Sequence, residues 1–190
     1  MGQRGFTLAE VLVAMAVVGL LMSGAVSVLS SGLQSYGMGA ARVELQQGVR
    51  VALERISREL REAGYDPTGA GLAAVTVAEP ARVVFLRDLN GNGVIDPTRE
   101  RVTFLVRADG ILRRDAGGGA QPMLNGVRRF ALTYRDRDHA PTTDPARVTL
   151  VRVELEAGAA GVRVLMETAV ALRNVSSWGR VVPPAPVALW

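Results

Sequence analysis

The chain has no cysteine, no lysine and a single histidine among its 190 residues. Without cysteine there is no disulfide, so a domain exported to an oxidising space must rest on its apolar core. Thiol nucleophiles and cysteine metal sites go with it, and the lone imidazole, His139, has no second histidine with which to share a metal. Every basic residue is arginine, which stays charged at any ordinary pH, so a net charge of only +4 lifts the pI to about 10.5. That pI is no argument for nucleic-acid binding. The sequence also lacks a G-x-S-x-G elbow, a Walker loop and a G-x-G-x-x-G turn after a strand. Gly117-Gly118-Gly119 is followed by no lysine and no helix start, so it reads as a hairpin loop. Catalysis is not expected.

Two further absences shape the N-terminal region. From Val11 to Leu33 there is neither proline nor charge, and the residues are apolar or small. In lipid a helix satisfies every backbone group within one segment, and about 20 apolar residues cross the hydrocarbon core. The run is long enough to span. One carboxylate, Glu10, stands at its mouth. A carboxylate at the bilayer centre costs about 2.5 kcal/mol or more, and less at the interface. Glu10 either sits at headgroup level, capping the positive end of the helix dipole, or serves a partner.

Arg4-Gly5-Phe6-Thr7-Leu8-Ala9-Glu10-Val11-Leu12-Val13-Ala14 closely resembles the type III signal sequence of type IV prepilins and pseudopilins. Basic residue, Gly, Phe, Thr, Leu and Glu fall in register ahead of a spanning run, and only Ala9 stands at a position that varies. The resemblance implies cleavage between Gly5 and Phe6 by a membrane-embedded prepilin peptidase, N-methylation of Phe6, and assembly with other pilins or pseudopilins through the helix. It also implies storage in the cytoplasmic (inner) membrane as a single-pass prepilin, followed by a place in a surface filament or in the periplasm. Glu10 maps onto the family's glutamate. Cleavage would create an ammonium at Phe6, and methylation keeps its charge. A charge pair left half-made in a low-dielectric core is costly, so pairing of Glu10 with a neighbour's ammonium would select one stagger between subunits.

The helical pattern continues past Leu33 in a stretch holding Gly32, Gly37 and Gly39, each of which weakens a helix by about 1 kcal/mol relative to alanine, so a soft spot or kink is expected there. From Leu45 an amphipathic face emerges in Leu45, Val49, Leu53, Ile56, Leu60 and Ala63. The opposite face carries Arg50, Glu54, Arg55, Arg58, Glu59, Arg61 and Glu62, read as solvated, with Glu54 and Arg58 as an i,i+4 pair. Gly64 and Pro67 end the helix, which is predicted over about Thr7 to Ala63. Arg58 to Tyr65 also resembles the stem end of PilW-like minor pilins, through its Ala-Gly-Tyr.

The remainder reads as β: Arg82–Leu86, Arg101–Arg107, Arg128–Tyr134, Arg147–Glu156 and Val162–Arg173 are rich in Val, Leu, Phe and Thr. Asp109-Gly110 signals a hairpin leading into Ile111-Leu112. Ala157 to Gly161 reads as a turn, and Ala116–Gln121 and His139–Pro145 as loops. The expected class is α+β, an antiparallel meander covering a long N-terminal helix. The expected divisions are a leader (1–5), an assembly half of the helix (6–33), an amphipathic half (34–64), a β domain (65–178) and a proline-rich tail (179–190).

Asp88-Leu89-Asn90-Gly91-Asn92-Gly93-Val94-Ile95-Asp96 matches the first part of a calcium loop. Oxygen side chains alternate, a glycine makes the sharp turn, and Val94 offers a carbonyl. Arg99 occupies the place of the bidentate acid and Glu100 lies one residue late, so structural calcium, if held by Asp88, Asn90, Asn92, Val94, Asp96 and Glu100, would bind weakly. The competing reading is a polar hairpin loop. Arg113-Arg114, Arg128-Arg129, Arg135 and Arg137 are candidates for a basic strip contacting DNA, against which strand alternation and Asp115, Asp136 and Asp138 weigh.

The sequence therefore points to a structural minor pilin of a type IV pilus, most similar to the PilW-like group and serving pilus assembly, adhesion, twitching motility or DNA uptake. The nearest alternative is a J-like pseudopilin of a type II secretion system. From another class, the chain would be a membrane-anchored extracytoplasmic binding domain, or a secreted one cleaved near Ser23-Gly24-Ala25.

Overall fold

The structure is a computed structural model and describes residues 5–175. The leader up to Arg4 and the expected tail beyond Trp178 lie outside the described residues. One helix, α1 (Leu8–Arg61), runs for 54 residues. The helix assignment continues without interruption through Gly32, Gly37 and Gly39. Nothing lies within 4 Å of where a Cβ would stand on these three glycines, so no tight packing requires them to be glycine.

Eight strands follow: β1 (Val75–Glu79), β2 (Arg82–Leu86), β3 (Arg101–Val106), β4 (Leu112–Asp115), β5 (Gln121–Leu124), β6 (Val127–Arg135), β7 (Leu150–Ala159) and β8 (Val162–Ala171). All pairs are antiparallel and sequential, in two sheets rather than one meander: β1-β2-β3-β4-β5 and β6-β7-β8. The sheets meet where the backbone N–H of Leu132 donates to Pro80 (2.7 Å) and the Tyr134 hydroxyl donates to the carbonyl of Glu79 (2.7 Å). The class is α+β, a long apolar helix packed on antiparallel sheets.

β1 and β5 lie outside the segments that read as strand in the sequence, and β5 begins at Gln121, the end of the expected loop. Pro122 hides β5, because proline donates nothing to a ladder; it is tolerated because β5 is a sheet edge. Arg147 belongs to a 3-10 turn, Pro145–Arg147, capped by Asp144, so β7 starts at Leu150. At its other end β7 runs on to Ala159, and the turn shrinks to Ala160-Gly161, both at positive φ (49° and 79°). That backbone suits the right-handed twist of a tight hairpin.

The core is a sandwich of helix and sheet. Val49, Ile56 and Leu60 are fully buried, against Val151, Val153 and Leu155 of β7 and Leu172 just beyond β8. In the five-stranded sheet Phe85 and Phe104 stack with ring centroids 5.9 Å apart. The strict alternation of β7 sends Val151, Val153, Leu155 and Ala157 inward.

The charged face of α1 is not wholly solvated. Glu59 is 6% exposed and lies under the end of β2 and β4. It accepts from Arg114 Nε at 2.8 Å to both carboxylate oxygens and from Arg55 Nε at 3.1 Å, while Arg87 approaches at 3.7 Å and also pairs with Glu62. The i,i+4 pair that forms is thus Arg55–Glu59 rather than Glu54–Arg58, because Glu59 points to where arginines of the sheet converge. Gly64 takes the left-handed backbone predicted for a helix stop (φ 76°); a side chain there would strike the carbonyl of Asn174. Asn174 Nδ2 in turn donates to the carbonyls of Arg61 and Ala63, tying the last described residues to the helix end.

Candidate functional site: the helix N-terminus and its apolar flank

Gly5, Phe6 and Thr7 precede the helix, and Phe6 is 88% exposed. Thr7 is the N-cap, with extended backbone (φ −76°, ψ 151°). The Gly5–Phe6 bond therefore sits in non-helical, open chain immediately before a rigid rod, and a protease can reach it without unwinding a turn.

Glu10 is the third helical residue, and with Thr7 it forms a capping box. Glu10 N donates to Thr7 Oγ1 (3.3 Å), and Glu10 Oε2 accepts from Thr7 N (2.9 Å) and Thr7 Oγ1 (2.8 Å). This reciprocal arrangement satisfies donors that a helix start otherwise leaves open. The carboxylate consequently has a local structural task as well as a favourable place at the positive helix end. The S/T-x-x-E spacing carried this signal, and it was readable from Thr7 and Glu10 alone.

Past Glu10 the rod has no partner within the chain. Every residue from Leu8 to Ala40 is exposed, including Leu12, Val13, Met15, Leu20, Leu21, Val28 and Leu29. It contains a window long and apolar enough to cross a membrane, none of it buried. Phe6, Glu10, Ala14 and Val18 repeat at four-residue spacing with Val11, Met15 and Gly19 beside them, forming one open groove along the helix. Such a stripe, exposed in the monomer, needs lipid or another helix to cover it.

The calcium-loop residues are tied together by hydrogen bonds within the loop. Asp88 and Glu100 are fully buried, and both oxygens of each already accept backbone bonds. Asp88 Oδ1 takes Gly91 N (2.7 Å) and Asn92 N (3.3 Å), and Oδ2 takes Gly93 N (2.8 Å). Glu100 Oε1 takes Leu89 N (2.9 Å) and Asn90 N (3.1 Å), and Oε2 takes Asp96 N (2.8 Å). Asn90 accepts from Asn92 N and Asn92 from Val94 N, while Asp96 accepts from Thr98 N. Among the described residues no three acidic or histidine side chains group in a way that holds a metal ion. The loop is folded by its own N–H groups around two anions.

Of the six candidate DNA-strip arginines, Arg113, Arg114 and Arg129 are paired with acids and Arg128 stands far from Arg135. Arg113 makes two hydrogen bonds to Asp109 (2.6 and 2.8 Å), and Arg114 faces α1 through Glu59. Arg129 pairs with Glu154 at 3.0 Å. Arg128 and Arg135 lie near opposite ends of β6, separated by about 23 Å of strand. His139 is exposed at positive φ (60°), and its carbonyl accepts from Arg135, as befits a loop residue.

Residues 1–26 match the family model described as a prokaryotic N-terminal methylation motif. That match supports a type IV pilin-like family, with a pilin- or pseudopilin-type function, processing by prepilin peptidase and assembly with other pilins. Together with the apolar rod it fits anchoring in the inner membrane before assembly. No curated protein matches the chain.

Proposed function

We propose that the chain is a minor pilin of a type IV pilus, most like the PilW-like group, and that its task is structural rather than catalytic. The observation that carries this reading is the apolar rod from Leu8 to Ala40, unpartnered in the monomer, whose start lies within the matched methylation motif. Cleavage after Gly5 frees the amine of Phe6, which is then methylated. The rod resides in lipid until it exchanges lipid for the flanks of neighbouring rods.

In this reading Glu10 acts twice. Both bonds from Thr7 land on Oε2, which leaves Oε1 for the ammonium of an adjacent subunit. A neighbour shifted along the axis would strand one of the two charges, so the pair selects stagger. The expected result for Glu10→Ala is a protein cleaved and methylated normally but absent from filaments. Wild-type incorporation of the variant overturns this role.

Mass spectrometry of the mature N-terminus tests the reading as a whole. Methyl-phenylalanine at Phe6 is expected, whereas an intact Met1 or a start near Val26 overturns it in favour of an anchored or secreted binding domain. Deletion of the gene then separates the pilus from its relative: loss of surface filaments, twitching or transformation supports the minor pilin, and loss of protein secretion with filaments intact supports the J-like pseudopilin.

A further inference from the structure

The helix leaves the bilayer close to where the domain begins. From Val11 to Ala41 there is no charged residue, and at 1.5 Å per residue that stretch is about 46 Å long, near the about 40–45 Å of a bilayer with its headgroups. Tyr36, 78% exposed, stands where an interfacial aromatic belongs. Arg42 is the first charge after the span, one and a half turns further on.

At this same level the domain presents three hairpin turns. The β7–β8 turn (Ala159 and Ala160) and the β5–β6 turn (Asn125) line a shared hollow with Ala41 and Glu44 of α1. The β3–β4 turn is fastened to the β5–β6 turn, because Val127 N donates to the carbonyl of Gly110 at 2.8 Å. Gly158 N donates to the carbonyl of Gly126 at 2.8 Å, which fastens the β7–β8 hairpin as well. Each hairpin brings an exposed arginine: Arg107, Arg128 and Arg163. Among the described residues no carboxylate lies within 4.0 Å of these or of Arg42. The acids near this end include Glu44, Glu156 and Asp109, and the Asp109 carboxylate is hydrogen-bonded to Arg113 and also feels the charge of Arg107.

We propose that this end of the domain docks on anionic phospholipid headgroups while the chain is anchored in lipid. Arg42, Arg107, Arg128 and Arg163 contact the phosphates. The proposal rests on the anchoring reading above: the span's length sets the arginines at phosphate level, and their charge selects anionic lipid. Guanidinium and phosphate pair through parallel N–H donors, which suits arginine to this surface. Docking holds the domain against the membrane before assembly, and extraction of the rod into a filament must release it.

The absence of cysteine makes the test direct, since a single fluorophore can be placed at Ala108→Cys in the β3–β4 turn or at Ala70→Cys at the far end of the domain. The full chain is reconstituted in vesicles of phosphatidylcholine, or of phosphatidylcholine with about a quarter phosphatidylglycerol, each carrying a headgroup quencher. Quenching at Ala108→Cys should rise about twofold with phosphatidylglycerol and return to the phosphatidylcholine level in about 0.5 M salt. The same fall is expected for R107Q/R128Q/R163Q, while quenching at Ala70→Cys stays low throughout. Equal quenching of Ala108→Cys in the two lipids, in protein that resists alkaline extraction, overturns the docking alone. Extraction of the protein by alkali overturns the anchoring reading beneath it.

Discussion

α1 is one helix with two environments. From Leu8 to Ala40 every side chain is exposed within the monomer, whereas from Leu45 to Leu60 one face is sealed against the sheets. Backbone hydrogen bonding is the same in both halves, so the helix itself does not explain the difference. The upper half is amphipathic and finds its partner in the same chain. The lower half is apolar all round, and its partner must be lipid or another chain. A change in the upper half should therefore be read in the stability of the domain, and a change in the lower half in membrane retention or assembly.

The largest expected effect is at Ile56, which is fully buried. Ile56→Asp should prevent the domain from folding and Ile56→Ala should cost about 2–5 kcal/mol in denaturant titration of the detergent-solubilised chain. Val17→Ala, at 51% exposure, should leave that titration unchanged. A shared loss of stability would erase the distinction between the halves. Next comes Glu59→Leu, which strands Arg114 beneath the sheet, takes one of two acids from Arg87 and should cost about 3–5 kcal/mol. A cost below about 1 kcal/mol would show that the network is solvated like an ordinary surface pair.

Thr7→Ala removes the N-cap and should cost the first turn about 1 kcal/mol, visible as faster amide exchange at Leu8 to Val11 with no change in domain stability. If exchange is unchanged, the capping box is not what orders the start of the rod.

A smaller effect is expected in acid. Desolvation pushes the Asp66 carboxyl up, but the N–H groups of Gly71, Leu72 and Ala70 and the Thr68 hydroxyl outweigh it and hold it at about 2, below its ordinary 3.8. Its folded pKa is depressed, so its contribution is complete above pH 3.8 and is lost as the pH falls towards 2. Protection of the Ala70 to Leu72 amides, relative to their intrinsic exchange rates at each pH, should fall over that interval in wild type and be already low in Asp66→Ala. The smallest effect is for calcium. With the oxygens of Asp88 and Glu100 engaged by backbone donors, millimolar calcium should leave Tm unchanged, and a rise of several degrees would show that the loop opens to take the ion.

Periodicity made the helix face legible: Leu45, Val49, Leu53, Ile56 and Leu60 are the residues that pack. Alternation did the same for the inward set of β7. The candidate site was legible in the register of Gly5, Phe6 and Glu10 ahead of an uncharged run. Local pattern was blind to long-range partners. Glu59 sits among charges in the sequence and reads as solvated, yet Arg87 and Arg114 reach it from positions 28 and 55 residues away. β5 is held by its neighbour β4 rather than by its own propensity, and Pro122 argues against it when read in isolation.

The amino-acid order alone determined the rod, its signal and its stop, because an uncharged run, a capping box and a left-handed glycine act through neighbours a few residues apart. Tertiary structure alone decided the split into two sheets, the burial of Glu59 and the meeting of hairpin turns with the helix near Ala41. Those depend on which distant segments meet, and local spacing carries no record of that.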